Sequence, residues 1–271
     1  MARKFLVAAG IAVALAGSAW AESDIRNPLT ESATWDDLRG DVMGDAPLSD
    51  AADLLHVEAP YRAHDAATVP ITLTQTDPSA KITAATVVVD ENPAPVAAVF
   101  AFGDGMGVLD FELRVRVNQY SNVRVIADTA DGFKMTGRFV KASGGCSAPA
   151  TKDPTIALNS MGKMKLRTFE PAAAQMSTPR REAQIMIRHP NYSGLQRDQI
   201  TQLFIPAHFI DHLEVWQGEE MLFAMDGGIS ISENPVFRFG YDDNGATALT
   251  VKATDTEGNS WEQVLPKTGQ S

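Results

Sequence analysis

From residue 68 onward the chain repeatedly alternates apolar and polar residues over short stretches, and this pattern constrains the fold more than anything else in it. Residues 68–74, 81–89, 96–102, 111–117, 122–128 and 133–140 carry the alternation. Turn-forming residues separate them: Asp77-Pro78-Ser79, Asn92-Pro93, Gly103-Asp104-Gly105 and Asp131-Gly132. A period of two puts successive side chains on opposite faces, which suits a strand with one face buried and one in water. Short strands at spacings near ten residues point to an antiparallel sandwich. Alternation resumes at residues 163–167 and continues near 183–188, 203–204, 209–216, 221–225, 236–241, 248–253 and 261–265. Here Gln217-Gly218, Asp243-Asn244-Gly245 and Glu257-Gly258-Asn259 form the turns, the second a strong hairpin signal. Strands nowhere alternate with long helices. The expected fold is all-β: two β-sandwich domains, each held by its own hydrophobic core. Ahead of them, Trp35, Leu38 and Val42 after the cap candidate Thr34 suggest one short helix packed against the first β region.

Between the two β regions lies Lys141-Ala142-Ser143-Gly144-Gly145-Cys146-Ser147-Ala148-Pro149, with the only cysteine of the chain. A lone cysteine is ordinarily a small buried hydrophobe. Here no large apolar neighbour flanks it, and Gly144 and Gly145 free the backbone before it, so an exposed thiol on a flexible tether is expected. The composition stays linker-like to about Gly162. This divides the chain into residues 1–21, a first domain at 22–141, a cysteine-bearing arm and linker at 142–162, and a second domain at 163–271. Lys141 and Lys152 favour the thiolate only weakly at that sequence distance. Fully extended, about six residues at roughly 3.4 Å each carry the sulfur up to ~20 Å from the first domain.

The N-terminus reads as an export signal. Arg3 and Lys4 precede an apolar run from Phe5 to Ala16, and Ala19-Trp20-Ala21 offers a small-x-small cleavage pattern before Glu22. That run is shorter than the roughly 20 residues a membrane span needs. The expectation is a soluble periplasmic protein, with no membrane partner. Removing the signal leaves 21 basic residues against 34 acidic ones, a balance of −13. Such a chain repels phosphate backbones, so no nucleic-acid partner is expected, and it suits basic protein surfaces.

The remaining motifs carry little chemistry. Gly103-Asp104-Gly105-Met106-Gly107 precedes a strand instead of a helix, so it lacks the helix N-terminus that a phosphate loop needs. His208 and His212 share a strand face and would permit a metal, but Phe209 stands where a zinc-protease glutamate would, and no third ligand is evident. His56, His64 and His189 are scattered. No serine sits in a nucleophile elbow. In residues 111–118, Phe111, Leu113, Val115 and Val117 are expected in the core, with Glu112, Arg114, Arg116 and Asn118 in water. No cofactor or metal is expected, and no enzymatic activity of the chain itself.

The sequence resembles the Sox-type sulfur carriers, with SoxY-like and SoxZ-like subunits fused in one chain. In the first half the resemblance rests on Glu58-Ala59-Pro60, Val69-Pro70-Ile71-Thr72-Leu73, Asn92-Pro93-Ala94-Pro95 with Ala98-Val99-Phe100, Ser121-Asn122-Val123 and Gly144-Gly145-Cys146. In the second it rests on Ile187-Arg188-His189-Pro190 with Ser193-Gly194, Ile205-Pro206, Ser232-Glu233-Asn234-Pro235 and Thr254-Asp255. Each motif is weak alone; the ordered set is specific. The resemblance implies two immunoglobulin-like sandwiches that pair within the chain. It implies a thiol, Cys146, that carries sulfur intermediates covalently, with Gly144 and Gly145 as the swivel. Its partners would be a c-type cytochrome that conjugates thiosulfate, a hydrolase that releases sulfate and a further oxidising enzyme. Two departures stand out. Ser147 and Ala148 follow the cysteine where the family's arm has glycines and ends, so this thiol is tethered on both sides. The fused form is also similar to a subgroup that accompanies quinoprotein (pyrroloquinoline quinone) dehydrogenases, which implies an alternative role as a noncatalytic accessory module.

Overall fold

A computed structural model describes residues 27–149, 154–169 and 179–267. The export signal at residues 1–21 lies outside them, as does Lys152. The described chain is all-β apart from short helices, as the alternation predicts. Helix α1 (Ala33–Met43) opens it, capped by Ser32 Oγ, which accepts from the Trp35 amide at 3.1 Å, and not by Thr34. Two strands missed by the alternation come next, β1 (Leu48–Asp50) and β2 (Leu55–Glu58). Then come β3 (Val69–Gln75), β4 (Ile82–Val89), β5 (Val96–Phe102), β6 (Asp110–Val115), β7 (Ser121–Thr129) and β8 (Gly132–Val140). After the cysteine, α2 (Pro154–Asn159) interrupts the expected linker. The second half supplies β9 (Met164–Phe169), β10 (Arg180–Ile187), β11 (Ile210–Gln217), β12 (Glu220–Gly227), β13 (Val236–Asp242), β14 (Ala248–Asp255) and β15 (Ser260–Pro266). Residues 203–204 form only an isolated bridge, Arg197 to Phe204, instead of a strand.

The strands of each half stack in two layers, as the two expected sandwiches do, but they are joined edge to edge into shared sheets. They form a nine-stranded sheet, β1-β8-β7-β4-β5-β12-β11-β14-β15, over a six-stranded sheet, β2-β3-β6-β13-β10-β9. The halves meet edge to edge in both layers. In the first layer β5 pairs antiparallel with β12 (Phe102 opposite Phe223, Phe100 opposite Met225). In the second, β6 pairs with β13 (Phe111 opposite Phe239). Each half thus closes an open edge of the other, where unpaired N–H and C=O groups would invite aggregation. One core runs beneath both halves, which corrects the expectation of one core per domain. Phe111 packs edge-on against Phe100 at 5.0 Å and against Phe223 at 5.1 Å, and Phe223 against Phe239 at 5.1 Å. Such aromatic contacts add to the area term and tie the halves together across the seam.

On the outer face of the larger sheet, α1 buries Trp35 against Val88 and Ile126. The Arg124 guanidinium lies 4.7 Å from that indole and makes buried hydrogen bonds to Asp90 at 2.8–3.0 Å. None of the described helices is long and apolar enough to cross a membrane.

Candidate functional site

The chain leaves β8 at Val140 and turns back under the seam. Gly144 takes φ 78°, a left-handed conformation that glycine adopts without strain. Its amide donates to Asn118 O at 2.8 Å, the Gly145 amide to Val117 O at 3.0 Å, and the Ser147 amide back to Gly144 O at 3.2 Å. Gly145 is needed for a different reason. A Cβ there would sit 2.1 Å from Ala66 O and 2.7 Å from Val117 O, both backbone atoms. In this position the two glycines shape a tight, hydrogen-bonded turn.

That turn carries Cys146 inward. The thiol residue is fully buried, at 0 % exposure, which corrects the expectation of an exposed tether. The cover comes from distant segments that local composition cannot report. Ser193 Oγ donates a hydrogen bond to Cys146 O, and Gln196 Nε2 donates to Ala148 O at 2.9 Å. Gln196 Oε1 in turn accepts from the Ser193 amide at 3.2 Å. Beside the turn a surface cleft of about 440 Å³ is lined by Ser147, Pro149 and the 195–202 loop. The first half holds the turn from one side and the second half from the other.

Arg116 lies beneath it. The alternation assigned this residue to water; it is 1 % exposed. Strand β6 ends one residue earlier, and the Arg116 amide donates to Ser230 O of the second half at 2.7 Å, so the face that would be wet is covered by the other half. Nη1 donates to Gly145 O at 3.2 Å and Nη2 to Asn191 O at 3.1 Å. Nε is buried and has no partner among the described residues. No carboxylate pairs with the guanidinium among the described residues; Asp65 and Glu233 act on it only at longer range. Burial pushes the Cys146 thiol up from its ordinary value, and the Arg116 charge offsets part of that. The unmodified cysteine is therefore an uncharged, shielded thiol beside an incompletely satisfied cation.

The seam that frames this site is built from residues of the sequence motifs. Asn92 Nδ2 donates to Arg116 O at 2.7 Å and to Ser230 Oγ at 2.9 Å, and its Oδ1 accepts from the Asn118 amide at 2.8 Å. Asn191, in a left-handed conformation at φ 43°, donates through Nδ2 to Ser232 O at 3.1 Å and accepts from the Ile210 amide at 3.1 Å. Arg116, Asn191, Ser193 and Gln196 were missed as site residues. The one signal in the sequence was the Asn- and Ser-rich punctuation at 92–95, 191–193 and 230–234.

The histidines do not assemble as the sequence suggested. His208 is buried and His212 is half-exposed, with Nδ1 2.7 Å from Asp226 Oδ1. His208 meets His189 instead, and both Nε2 atoms point at Asp255 Oδ2, at 2.6 and 3.3 Å. These three residues could converge on an ion. However, His189 Nδ1 accepts from the Asn191 amide at 3.0 Å, which places the proton on Nε2, the atom a metal would need. Asp255 also takes hydrogen bonds from the Asn259 side chain at 2.8 Å and from the Glu257 and Asn259 amides. Its lone pairs already have donors. The cluster is a hydrogen-bonded buttress under the loop that carries Asn191 and Ser193.

Comparison with known proteins bears on this arrangement. Residues 39–146 match the family model described as sulfur oxidation protein SoxY, and residues 169–266 match that of sulphur oxidation protein SoxZ. The first match ends on Cys146. Among solved structures, the sulfur carrier protein SoxY from Chlorobium limicola f thiosulfatophilum is similar at 24% identity, over 41% of this chain and 97% of that one, with a TM-score of 0.34. No curated protein matches.

Proposed function

Because the chain belongs to the SoxY and SoxZ sulfur-oxidation families, one domain following the other, we propose that it is a covalent carrier whose Cys146 bears a sulfur-containing intermediate of the thiosulfate type. The observation that supports this most is the setting of the thiol. The only cysteine of the chain sits on a turn that hydrogen bonds hold closed, so it can be released without unmaking either sheet. A catalytic cysteine needs a base and a substrate cleft around it. This one is fully buried, which suits a group that travels between enzymes and must be inert on the way.

The chemistry divides accordingly. Joining thiosulfate to a thiolate forms an S–S bond and releases two electrons. Those go to an external oxidant, such as the haem of a c-type cytochrome, and this chain supplies only the nucleophile. Release of sulfate then needs water and a partner hydrolase, for which the chain offers no catalytic group. In this reading the protein is exported to the periplasm and is not an enzyme. Transfer requires the turn to open, and the thiol then enters a partner as a loop tethered at both ends. The cleft beside Ser147 and Pro149 is the space into which it would first emerge.

Intact-mass spectrometry of protein isolated from its native periplasm, with and without reductant, tests the reading. The expected result is a reductant-labile increment of sulfane sulfur or a thiosulfonate on Cys146, absent in Cys146→Ser. A bare thiol, or only glutathione adducts and dimers, would refute the carrier. Function would then rest with an accessory module for a quinoprotein dehydrogenase, in which Cys146→Ser keeps partner binding.

A further inference from the structure

Buried arginines are ordinarily paired with carboxylates or fully bonded, because an incompletely satisfied guanidinium in a dry interior is costly. Arg116 departs from this. Two of its three nitrogens donate to main-chain oxygens, of Gly145 and Asn191, and the third is buried without a partner among the described residues. One bonded oxygen belongs to Gly145, the residue before Cys146, and the other to Asn191, in the loop whose Ser193 donates to Cys146 O. The guanidinium thus carries an unused donor and stands close enough to Cys146 for its charge to act on the thiol.

We propose that Arg116 recognises the negative charge of a loaded Cys146, its Nε donor taking the terminal anionic atom of a persulfide or sulfonate adduct, so that the loaded turn is held closed more firmly than the empty one. This rests on the carrier reading for its biological sense. The empty form cannot use the donor, because a buried thiol stays protonated and brings no charge. A sulfane sulfur or sulfonate extends the side chain beyond Sγ and ends it in an anion, the partner for which a guanidinium is best suited. A neutral adduct of the same size adds bulk and no charge. The pocket thereby discriminates by cargo charge: it shields anionic intermediates from stray thiols and lets the turn loosen once the cargo is gone.

The test compares two small adducts on the full chain, one anionic and one neutral. In the first, Cys146 is converted to a mixed disulfide with a small thiol and treated with sulfite. Sulfite attacks the Cys146 sulfur, the S–S bond breaks, the small thiolate leaves, and an anionic S-sulfonate remains. In the second, methyl methanethiosulfonate transfers its methylthio group to the Cys146 thiolate, methanesulfinate leaves, and a neutral methyl disulfide remains. Hydrogen exchange of the peptide spanning residues 143–149 reports closure, since the Gly144, Gly145 and Ser147 amides are bonded only in the closed turn. The S-sulfonate should exchange at least tenfold more slowly than the methyl disulfide. Arg116→Gln should abolish the difference, and Arg116→Lys, which keeps the charge, should retain part of it. Equal exchange of the two wild-type adducts, whether both fast or both slow, overturns the proposal, and that comparison stands even if Arg116→Gln fails to fold. A difference that survives in a folded Arg116→Gln protein also overturns it. Both adducts are made chemically, so a bare thiol in native protein would sink the carrier reading and leave this result to be decided separately.

Discussion

Gly145→Ala is the substitution that most directly tests whether the thiol is shielded. The added methyl would lie 2.1 Å from Ala66 O and 2.7 Å from Val117 O. Neither oxygen can retreat easily, because the Val117 amide itself donates to Ala66 O at 2.8 Å. The turn must therefore lift. Overpacking of this kind costs about 1–3 kcal/mol. At about 1.4 kcal/mol per factor of ten, the closed population relative to the open one falls by roughly 5- to 150-fold. A reagent that attacks only the open form reads this directly, so the rate of Cys146 reaction with a neutral disulfide such as dithiodipyridine should rise by a factor in that range. Two controls calibrate it. A Cβ at Gly144 meets only Ser147 Oγ at 3.8 Å, so Gly144→Ala brings little beyond left-handed strain of about 1 kcal/mol and should accelerate the reaction less. Gly40→Ala, in open space on α1, should leave the rate unchanged and raise helix stability by about 0.5–1 kcal/mol. A Gly145→Ala protein with unchanged melting temperature and a wild-type reaction rate would mean that the turn is already open in solution.

Other perturbations probe the same site and its support. Burial raises the Cys146 pKa in the closed turn, so closure is favoured while the thiol is protonated and weakens as pH rises past the ordinary thiol value of about 8.5, where the open form ionises first. Corrected for intrinsic exchange, protection of residues 144–147 should fall above that pH in the wild type and stay flat in Cys146→Ser; constant wild-type protection would contradict this. At Asp255 burial alone would push the carboxyl up, but hydrogen bonds from Asn259, His208 and His189 outweigh it and hold the pKa at about 2. Its stabilisation, of order 2 kcal/mol, is present above pH ~4 and is lost as pH falls toward 2, so urea titrations across that window should show a slope that Asp255→Asn removes. Asp90→Ala should cost about 3–5 kcal/mol by stranding the buried Arg124, whereas replacing both residues with leucine should cost less, as compared by thermal denaturation.

The alternation in residues 68–140 and 163–265 revealed the strands because each sheet has one core face, and a period of two records which side chains share it. It could not record what else covers the opposite face. Arg116 shows the gap: its parity is that of a wet residue, but Ser230 and Asn191 of the other half lie over it. Cys146 shows the same gap in a loop. Its small neighbours are those of an exposed tether, and the groups that bury it come from Ala66, Val117 and residues 191–196, far away in the chain. The shared core was hidden for a related reason. Strands β5, β6, β12 and β13 look alike whether their edges face water or each other. The cysteine and its two glycines were legible as a motif, but not their closed conformation or the cation beneath them.

The joining of β5 to β12 and of β6 to β13 also sets how the chain must fold. Residues such as Phe102 and Phe223 become neighbours only after nearly all the sequence between them is available. Pairings of such long range are slow to form, since loop closure precedes any compensating contact. The first half must wait with two bare strand edges until the second half arrives, a state prone to stick to other chains. Covalent fusion shortens that wait. It keeps the matching edges at a high effective concentration, independent of how much protein the cell makes, so assembly does not depend on two separate chains finding each other.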